Sequence, residues 1–481
     1  MDGRDNLGLR IGRRTFLVTA TVLLAVLVLA GWLTLALPRG AYDRVLTDGR
    51  EAVVPGSYHV TPGDRLPVWR WFTAPVEVLG SDDAAPVLMI IAFVLLIGGT
   101  FQILEQSGVL RAAMGAVVAR FSRRRYLLLA LTSLVCMLLG SAMGLFEETV
   151  TLVPFSIALA VSLGWDRLVG VGMSVLAVGC GFAAGTVNPF TIGVAQRLAG
   201  LPAFSGILLR VGVFAAVYAL LILFLLRYAK RVEADPSVSL LRYGSAAAPA
   251  PTAEADADVP VARKGAFLPF ATALGLIFLF LLVSSFTDGL GDFALPVMAV
   301  LMTAGGILSG YRAGMPGRRV WGTFARGTAA LAPGALLILL AMGAKQTLTA
   351  GGVMDTVLHE AYLRIEGTGP YVSVLLMYLF ILVLELFVGS STAKAFLVMP
   401  LLVPLADLLG VTRQTVVQAF AFGDGFVNMA YPTNAVLLIT LGIAGIPFSV
   451  WFRWTWILQA ALAGLACLVL ALCVAIGYGP F

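Results

Sequence analysis

Charged side chains occur at a few places inside otherwise apolar stretches of this sequence. Two adjacent glutamates, Glu147 and Glu148, lie in the string GLFEET, and Lys394 ends the string GSSTAK. A charge in a hydrocarbon interior costs about 2.5–3.5 kcal/mol on insertion scales, so such groups pair with each other or take part in function. We expect a contact between Glu148 and Lys394, either as a structural salt bridge or as part of a substrate or proton site.

Asparagines are concentrated in two strings that interrupt long apolar stretches. Of four asparagines in the chain, Asn188 lies in GFAAGTVNPF, and Asn428 and Asn434 lie in FGDGFVNMAYPTN, which also contains Asp424. Asparagine at a helix break either satisfies freed backbone groups or contacts a ligand. Hard oxygen ligands from side chains and unwound carbonyls suit a cation such as sodium. The candidate sodium ligands are Thr186, Asn188, Asp424 and Asn434.

The composition excludes a soluble protein. Of 481 residues, 59% are apolar and 12% are charged, whereas soluble domains have about 45–50% and about 25%. Recurring apolar runs of about 20 residues predict an all-α polytopic membrane protein. The four lysines form no phosphate-binding loop, the two histidines form no HExxH motif, and no basic patch indicates nucleic acid. We therefore predict a protein of the lipid bilayer that is not an enzyme and has no bound cofactor.

Arginine placement predicts the topology. Basic residues before the first apolar run and at Arg120–Arg125 place the N-terminus in the cytoplasm and the C-terminus outside. The setting is the plasma membrane, in bacteria the inner membrane, and residues 38–85 form an outer loop. The expected full spans are 16–37, 86–104, 205–227, 266–286, 294–311, 332–349 and 451–478.

Two remaining regions have the same unusual pattern. Residues 126–163 are two short apolar arms around GLFEET, which make either two cramped spans or a re-entrant hairpin; we favour the hairpin because glutamates are unsuited to lipid. Arms at 371–388 and 392–409 flank GSSTAK in the same way. Each pair precedes an apolar stretch, 168–199 or 414–444, that Gly and Pro residues should break midway.

These regions align at an offset of about 246 residues, which indicates an internal repeat. Pro154 aligns with Pro400, and Asn188 with Asn434. The predicted topology gives the halves opposite orientations, and inverted repeats with broken helices are typical of secondary transporters. We divide the chain into a first membrane half (1–231, repeat core 86–227), a flexible cytoplasmic linker (232–264) and a second membrane half (265–481, repeat core 332–478).

The candidate substrate site comprises the hairpin tips and the helix breaks. The hydroxyls at the tips are suited to cap the second arms, or to bind a carboxylate or sodium there. The candidate residues are Glu147, Glu148, Thr149, Asn188, Ser390, Ser391, Thr392, Lys394, Asp424, Asn428, Thr433 and Asn434. Glu105, Lys345 and Glu385 also lie in apolar stretches, where we expect them to face interfaces or to pair structurally.

The strings GLFEET, GTVNPFTIG and FGDGFVNMAYPTNAVLL resemble those of the YfcC-like branch of the DcuC family, the C4-dicarboxylate anaerobic carriers of the ion transporter superfamily. The resemblance implies a secondary carrier, generally homodimeric, with an elevator-like movement of a transport core against a scaffold. It assigns functional roles to the matching positions Glu147, Glu148, Asn188, Asp424, Asn428, Pro432, Thr433 and Asn434.

The predicted function is transport of a small carboxylate-bearing metabolite, a C4-dicarboxylate or an amino acid. Sodium coupling, proton coupling and exchange all stay open. Two tip glutamates and Asp424 against Lys394 fit a cationic or zwitterionic solute, or cation coupling of an anionic one, and the charge count does not choose between these. The alternative is an exchanger of basic amino acids such as arginine and ornithine. A channel ranks below both, because the two tips are unlike and filters generally use rings of like groups.

Overall fold

The computed structural model describes residues 13–47, 50–81, 84–110, 112–113, 124–202, 205–243, 263, 265–284 and 293–479. The described chain is almost entirely helical, which confirms the all-α class. Within the described residues, seven helical segments are long and apolar enough to cross a membrane: Thr19–Ala36, Val87–Gln106, Arg125–Met143, Ile207–Ala234, Gly317–Gly351, Ser391–Leu408 and Phe448–Ala475. The protein is therefore a multi-pass membrane protein.

The helices in chain order are α1 (Arg13–Ala36), α2 (Val68–Glu77), α3 (Ala84–Gln106), α4 (Arg125–Leu138), α5 (Val153–Ser162), α6 (Arg167–Val171), α7 (Ala177–Ala183), α8 (Val194–Leu198), α9 (Ile207–Ala234), α10 (Leu268–Ser284), α11 (Ala294–Arg312), α12 (Gly317–Gly351), α13 (Met354–Ile365), α14 (Pro370–Glu385), α15 (Ser391–Leu408), α16 (Arg413–Gly425), α17 (Ala435–Ala444) and α18 (Phe448–Ala475). Four short strands, β1 (Gly40–Ala41), β2 (Arg44–Thr47), β3 (Arg50–Val53) and β4 (His59–Val60), pair antiparallel as β1 with β4 and β2 with β3.

One group of helices packs around the long helix α12. Helices α1, α2 and α3 lie along α12, and α11 packs against α3 and α10. The contact between α3 and α12 is close, because a Cβ added at Gly327 would lie 2.3 Å from the Gly98 carbonyl oxygen. Small residues let membrane helices approach in this way. We call α1–α3 and α10–α12 the scaffold helices.

Both regions predicted to be hairpins form helix–turn–helix units, and their entry and exit on one face of the membrane stays a prediction. In the first, α4 continues through a π-helical turn, Leu139–Met143, and reverses at Gly144, whose φ of 70° favours glycine. The return runs through a 3₁₀ segment, Glu147–Leu152, into α5. The second hairpin joins α14 to α15, and Ser390 is the N-cap of α15.

Both predicted helix breaks are also present. In the first half, α6 and α7 are joined by a π-helical turn and form the first part of the broken helix. Residues 184–188 are the break. A second π-helical turn, Pro189–Gly193, then leads into α8. In the second half α16 passes into a 3₁₀ segment, Phe426–Met429, and α17 begins after Asn434. The order of elements is thus the same in the two halves.

Helices of each half pack against helices of the other half. The first arm of each hairpin packs on the broken helix of its own half, α4 on α7 and α14 on α16. The second arms contact the other half as well, α5 on α17 and α15 on α8. At the centre a Cβ added at Gly425 would lie 2.3 Å from Ala183 Cα, and one at Gly179 would lie 2.4 Å from Met429 Sδ. The two contacts are equivalent, because Gly179 and Gly425 are 246 residues apart in the sequence, and so are Ala183 and Met429.

Two arginines join the halves in the same reciprocal manner. Arg167 Nη1 donates to the Ala444 carbonyl at the end of α17 (2.9 Å), and Arg413 Nη1 donates to the Ala199 carbonyl beyond α8 (3.0 Å). A cation at a helix C-terminus is favourable, because carbonyls there lack intrahelical partners. These reciprocal contacts are the ones that two repeats related by a two-fold axis would make. The direction of each half across a bilayer stays a prediction.

Two boundaries differ from the sequence prediction. Helix α12 begins at Gly317, whereas the span was expected from 332, because a helix can continue past the apolar segment. Ordered structure also extends into the predicted linker: α9 ends at Ala234, and 3₁₀ turns follow to Tyr243. Ser239 Oγ anchors this segment by donating to Asp166 Oδ2 (2.7 Å). Residues 244–262 and 264 of that linker lie outside the described residues.

The predicted outer loop attaches to α13. The backbone amide of Tyr42 donates to Asp355 Oδ2 (2.9 Å), and the Tyr42 hydroxyl lies 3.1 Å from His359 Nδ1. The Tyr58 ring stacks on His359 at 3.9 Å, and Arg44 pairs with Asp355 at 2.8 Å. Burial, reinforced by the Asp355 charge, raises the pKa of Tyr42 to about 12.

Candidate functional site

The tip of the second hairpin is bound to the second helix break by a charged contact. Lys394, in the first turn of α15, is fully buried, and its Nζ lies 2.7 Å from Asp424 Oδ1. Ser391 Oγ donates to the other carboxylate oxygen, Asp424 Oδ2, at 2.5 Å. Lys394 also forms an ion pair with Glu385, the last residue of α14. Asp424 therefore serves to fix the hairpin tip against α16.

The same tip reaches the first helix break. Thr392 Oγ1 donates to the carbonyl of Phe190 at 3.2 Å, in the π turn that follows the break. Ser390 is exposed, and its side chain accepts from the Ala393 amide at 3.4 Å. Capping by Ser390, one of the two roles expected for these hydroxyls, is thus observed. The second hairpin tip therefore contacts both helix breaks, so it would line a site that lies between them.

A chain of amide side chains organises the second break. Asn434 Oδ1 accepts from the Leu437 amide (3.0 Å) and caps α17, while Asn434 Nδ2 donates to Asn428 Oδ1 (2.7 Å). Asn428 Nδ2 in turn donates to the Asp424 carbonyl (2.9 Å). Thr433 is half-buried between these residues in sequence. The asparagines therefore satisfy backbone groups that the break has freed.

The first break is organised differently. Asn188 is fully buried, and its Oδ1 accepts from the amides of Phe190 (2.9 Å) and Thr191 (3.3 Å). Its Nδ2 is buried without a hydrogen-bond partner among the described residues. A Cβ added at Gly144 would lie 2.4 Å from Asn188 Oδ1, so the first hairpin tip lies directly on this amide.

The first hairpin tip has fewer described contacts. Glu147 is exposed, and the side chain of Glu148 lies outside the described part of the structure, as does any contact it makes with Lys394. Thr149 Oγ1 donates to the Phe146 carbonyl (2.6 Å) and does not cap a helix, because the return arm begins as a 3₁₀ segment. The Glu148–Lys394 pair stays a prediction, while the described partners of Lys394 are Asp424 and Glu385.

The predicted sodium ligands form two separate sets. Thr186 bonds with Ser141 of the first hairpin, at 3.1 Å between the hydroxyl oxygens, and lies near Asn188 in the chain. Asp424 and Asn434 are linked through Asn428 in the second break. Within the described residues no hydrogen bond joins the two sets, and both carboxylate oxygens of Asp424 accept from protein donors. A shared sodium site therefore stays a prediction.

Two contributors were not placed at the site by the sequence analysis. Glu385 was expected to face an interface or to pair structurally, and it forms an ion pair with Lys394 of the hairpin tip. Its position before the tip, on an apolar arm that ends at GSSTAK, is the signal that could have identified it. The Phe190 carbonyl has no sequence signal, because any residue supplies a carbonyl.

Comparison with known families and proteins gives consistent results. The sequence model of the DcuC family, the C4-dicarboxylate anaerobic carriers, matches residues 16–475. YfcC of Escherichia coli (strain K12), provisionally named a basic amino acid antiporter, is 32% identical over 85% of this chain and 82% of its own length. An uncharacterized protein of Haemophilus influenzae is 26% identical over 90% of this chain and 92% of its own.

Among solved structures, the YdaH transporter of Alcanivorax borkumensis aligns with 97% of this chain and 100% of its own, at 19% identity and a TM-score of 0.42. MtrF of Neisseria gonorrhoeae, described as representing a class of antimetabolite efflux pumps, aligns with 94% of both chains at 14% identity and a TM-score of 0.41.

Proposed function

Since this chain belongs to the C4-dicarboxylate anaerobic carrier family and is a membrane transporter, we propose that it is a secondary carrier of small carboxylate-bearing metabolites. The solute is a C4-dicarboxylate or an amino acid, and transport is coupled to an ion or proceeds by exchange. The observation that carries the proposal is the second hairpin tip, which contacts Phe190 in one break and Asp424 in the other. A solute between the breaks would be enclosed by side chains from both halves.

The arrangement favours a carrier over a channel. Asp424 is bonded to Lys394 and Ser391, so the tip and the break close on each other instead of leaving an open polar path between them. At each break a helix N-terminus begins at Asn188 or Asn434, and the first-turn amides that the asparagine caps do not accept from favour a carboxylate there. The proposed cycle moves the hairpins and broken helices as one body against the scaffold helices, in a homodimer.

A second candidate is an exchanger of basic amino acids. It is favoured by the relative YfcC and by the exposed Glu147 at the first hairpin tip, which suits the amino group of a solute. A C4-dicarboxylate and a basic amino acid place opposite net charges at the site. They are therefore separable by the charge of the solute that is transported.

The test is counterflow in liposomes that contain the purified protein. One set traps succinate as the C4-dicarboxylate, and the other traps arginine, ornithine and a neutral amino acid, each with and without sodium. Accumulation of labelled succinate or of the neutral amino acid supports the first candidate, and accumulation of arginine or ornithine supports the exchanger. Dissipation of a gradient without counterflow would indicate a channel, and silence in both sets would refute both solute classes.

Variants test the site within the same assay. Glu148→Gln and Asn434→Ala should abolish counterflow while the protein still inserts. Asn434→Asp keeps the oxygen that caps α17 but loses the amide donor to Asn428, so it separates the capping role from the site. Glu366→Gln, at an exposed position after α13, is the matched control. Wild-type counterflow by Glu148→Gln and Asn434→Ala would remove the proposed site.

A further inference from the structure

Three ionisable side chains form a cluster in the interior of the second half. Glu385, Lys394 and Asp424 have exposed fractions of 3%, 0% and 0%. The Lys394 ammonium contacts both carboxylates, at 2.7 Å from Asp424 Oδ1. They come from three elements, the end of α14, the first turn of α15 and the end of α16, so the cluster joins all three.

The two carboxylates differ in the donors they receive. Asp424 accepts from Lys394 Nζ at one oxygen and from Ser391 Oγ at the other. Glu385 receives only the Lys394 contact within the described part of the chain. A carboxylate is stabilised by each hydrogen bond it accepts, and burial without such bonds favours its neutral form. Of the two acids, Glu385 is the one that is better suited to hold a proton.

Other charges on the elements packed around α14 lie away from the cluster. Arg413 pairs with Asp407 at the far end of α16, and Arg453 on α18 is exposed. Helix α13, with Asp355, His359, Glu360 and Arg364, connects to the opposite end of α14 through residues 366–369. The nearby tyrosines, Tyr378 on α14 and Tyr431 in the second break, are neutral at ordinary pH. Arg197 on α8, which packs on α15 and α16, is exposed. The described contacts of the cluster therefore include no further charged group to compensate its charge.

With all three groups ionised the cluster has a net charge of −1. A buried uncompensated charge is costly, so one more positive charge is expected. A metal ion is a poor source, because the Lys394 ammonium already lies against both carboxylates and would repel it. We propose that Glu385 carries the proton that couples this carrier, an inference that rests on the proposed carrier function.

The proton balance is simple. One proton from water converts the Glu385 carboxylate to the carboxylic acid, which brings the cluster to zero charge and leaves the Lys394–Asp424 pair in place. Ser391, half-buried and bonded to Asp424, connects the cluster to the exposed Ser390 at the hairpin tip, where water supplies or accepts the proton. The neutral cluster crosses the apolar scaffold at lower cost than the charged one, so one proton accompanies each crossing.

The transport test imposes a pH gradient on liposomes that contain the protein, in both orientations, with labelled succinate in one arm and labelled ornithine in the other. One coupled proton per solute gives about tenfold accumulation per pH unit, which equals about 1.4 kcal/mol. Glu385→Gln should lose this accumulation, because a glutamine cannot release a proton, while Glu366→Gln should keep it. Accumulation by Glu385→Gln equal to that of the wild type would overturn the proposal, and so would accumulation that requires sodium and ignores the pH gradient.

A second measurement does not depend on the solute. Infrared difference spectra of the purified protein, recorded over a pH titration, report the carbonyl stretch of a protonated carboxylic acid. We expect one component of that band in the wild type and in Glu366→Gln, and its loss in Glu385→Gln. Persistence of the whole band in Glu385→Gln would refute the proton site. If neither solute is transported by the wild type, the function proposed above fails on its own, and the infrared result still decides the protonation of Glu385.

Discussion

The crossing of the two broken helices makes a quantitative prediction about glycine. A Cβ added at Gly425 would lie 2.3 Å from Ala183 Cα, 2.5 Å from Ala183 Cβ and 2.7 Å from Ala183 N. Carbon atoms prefer about 3.5–4.0 Å, so Gly425→Ala requires α7 and α16 to separate by more than about 1 Å. The obstacle is backbone, which cannot rotate away as a side chain can.

Gly179, the equivalent position in the first half, faces a flexible side chain where Gly425 faces backbone. A Cβ at Gly179 would meet the side chain of Met429, with Cγ and Sδ both at 2.4 Å, and methionine adapts by changing rotamers. Overpacking costs typically about 1–3 kcal/mol. We expect Gly425→Ala near the top of that range and Gly179→Ala near the bottom. Gly464, on α18, has open space within 4 Å of its Cβ position and is the control.

The assay is the folded fraction of purified protein in detergent over a temperature series, read by size-exclusion chromatography. The expected order of stability is Gly464→Ala, then Gly179→Ala, then Gly425→Ala. Gly464→Ala should be no less stable than the wild type, because alanine favours helix by up to about 1 kcal/mol. Equal stability of Gly425→Ala and Gly464→Ala would refute the close crossing of the two halves.

Two further predictions concern the arginines and the outer loop. Arg167→Ala and Arg413→Ala should each lower the free energy of unfolding by about 1.5–3 kcal/mol, the range for hydrogen bonds of charged donors, through the loss of their bonds to the Ala444 and Ala199 carbonyls. Arg413 also pairs with Asp407, so Arg413→Ala should lose at least as much as Arg167→Ala; an unchanged stability of either variant, by the same chromatographic assay, would contradict the reciprocal arrangement. Because the folded pKa of Tyr42 is about 12 and its ordinary value is 10, the unfolded chain loses this proton first, so stability should fall as pH rises from 10 to 12. Tyr42→Phe should flatten that part of the pH profile, and an unchanged slope in the variant would exclude Tyr42 as its source.

The sequence predicts the order of elements well, because chain-local chemistry determines it. The arms expected at 371–388 and 392–409 correspond to α14 and α15, and the interruption expected at 422–434 lies between α16 and α17. Gly, Pro and Asn mark these breaks through their backbone preferences, and apolar length marks the spans. The start of α12 was missed because Gly317–Ala330 contains no signal that would end a helix at the membrane boundary.

Side-chain partners could be predicted only in part. Alignment of the repeats suggested that Lys394 would meet Glu148, since the two positions are equivalent. Equivalent residues approach each other only if they lie near the symmetry axis, and sequence carries no information about that distance. The described partners of the ammonium are Asp424, at the end of α16, and Glu385, at the end of α14, while the contact with Glu148 stays a prediction. Such partners depend on how helices pack, which periodicity alone does not determine.

The packing of each second hairpin arm on the other half has a consequence for biogenesis. The Ala199 carbonyl cannot bond with Arg413, and α5 cannot pack against α17, until the second half has left the ribosome. At about 5–20 residues per second, the more than 200 residues between these partners take roughly ten to forty seconds to synthesise. Throughout that interval the insertion machinery holds a first half whose broken helix lacks part of its final packing. Premature termination after α9 should therefore yield a fragment that membrane proteases remove.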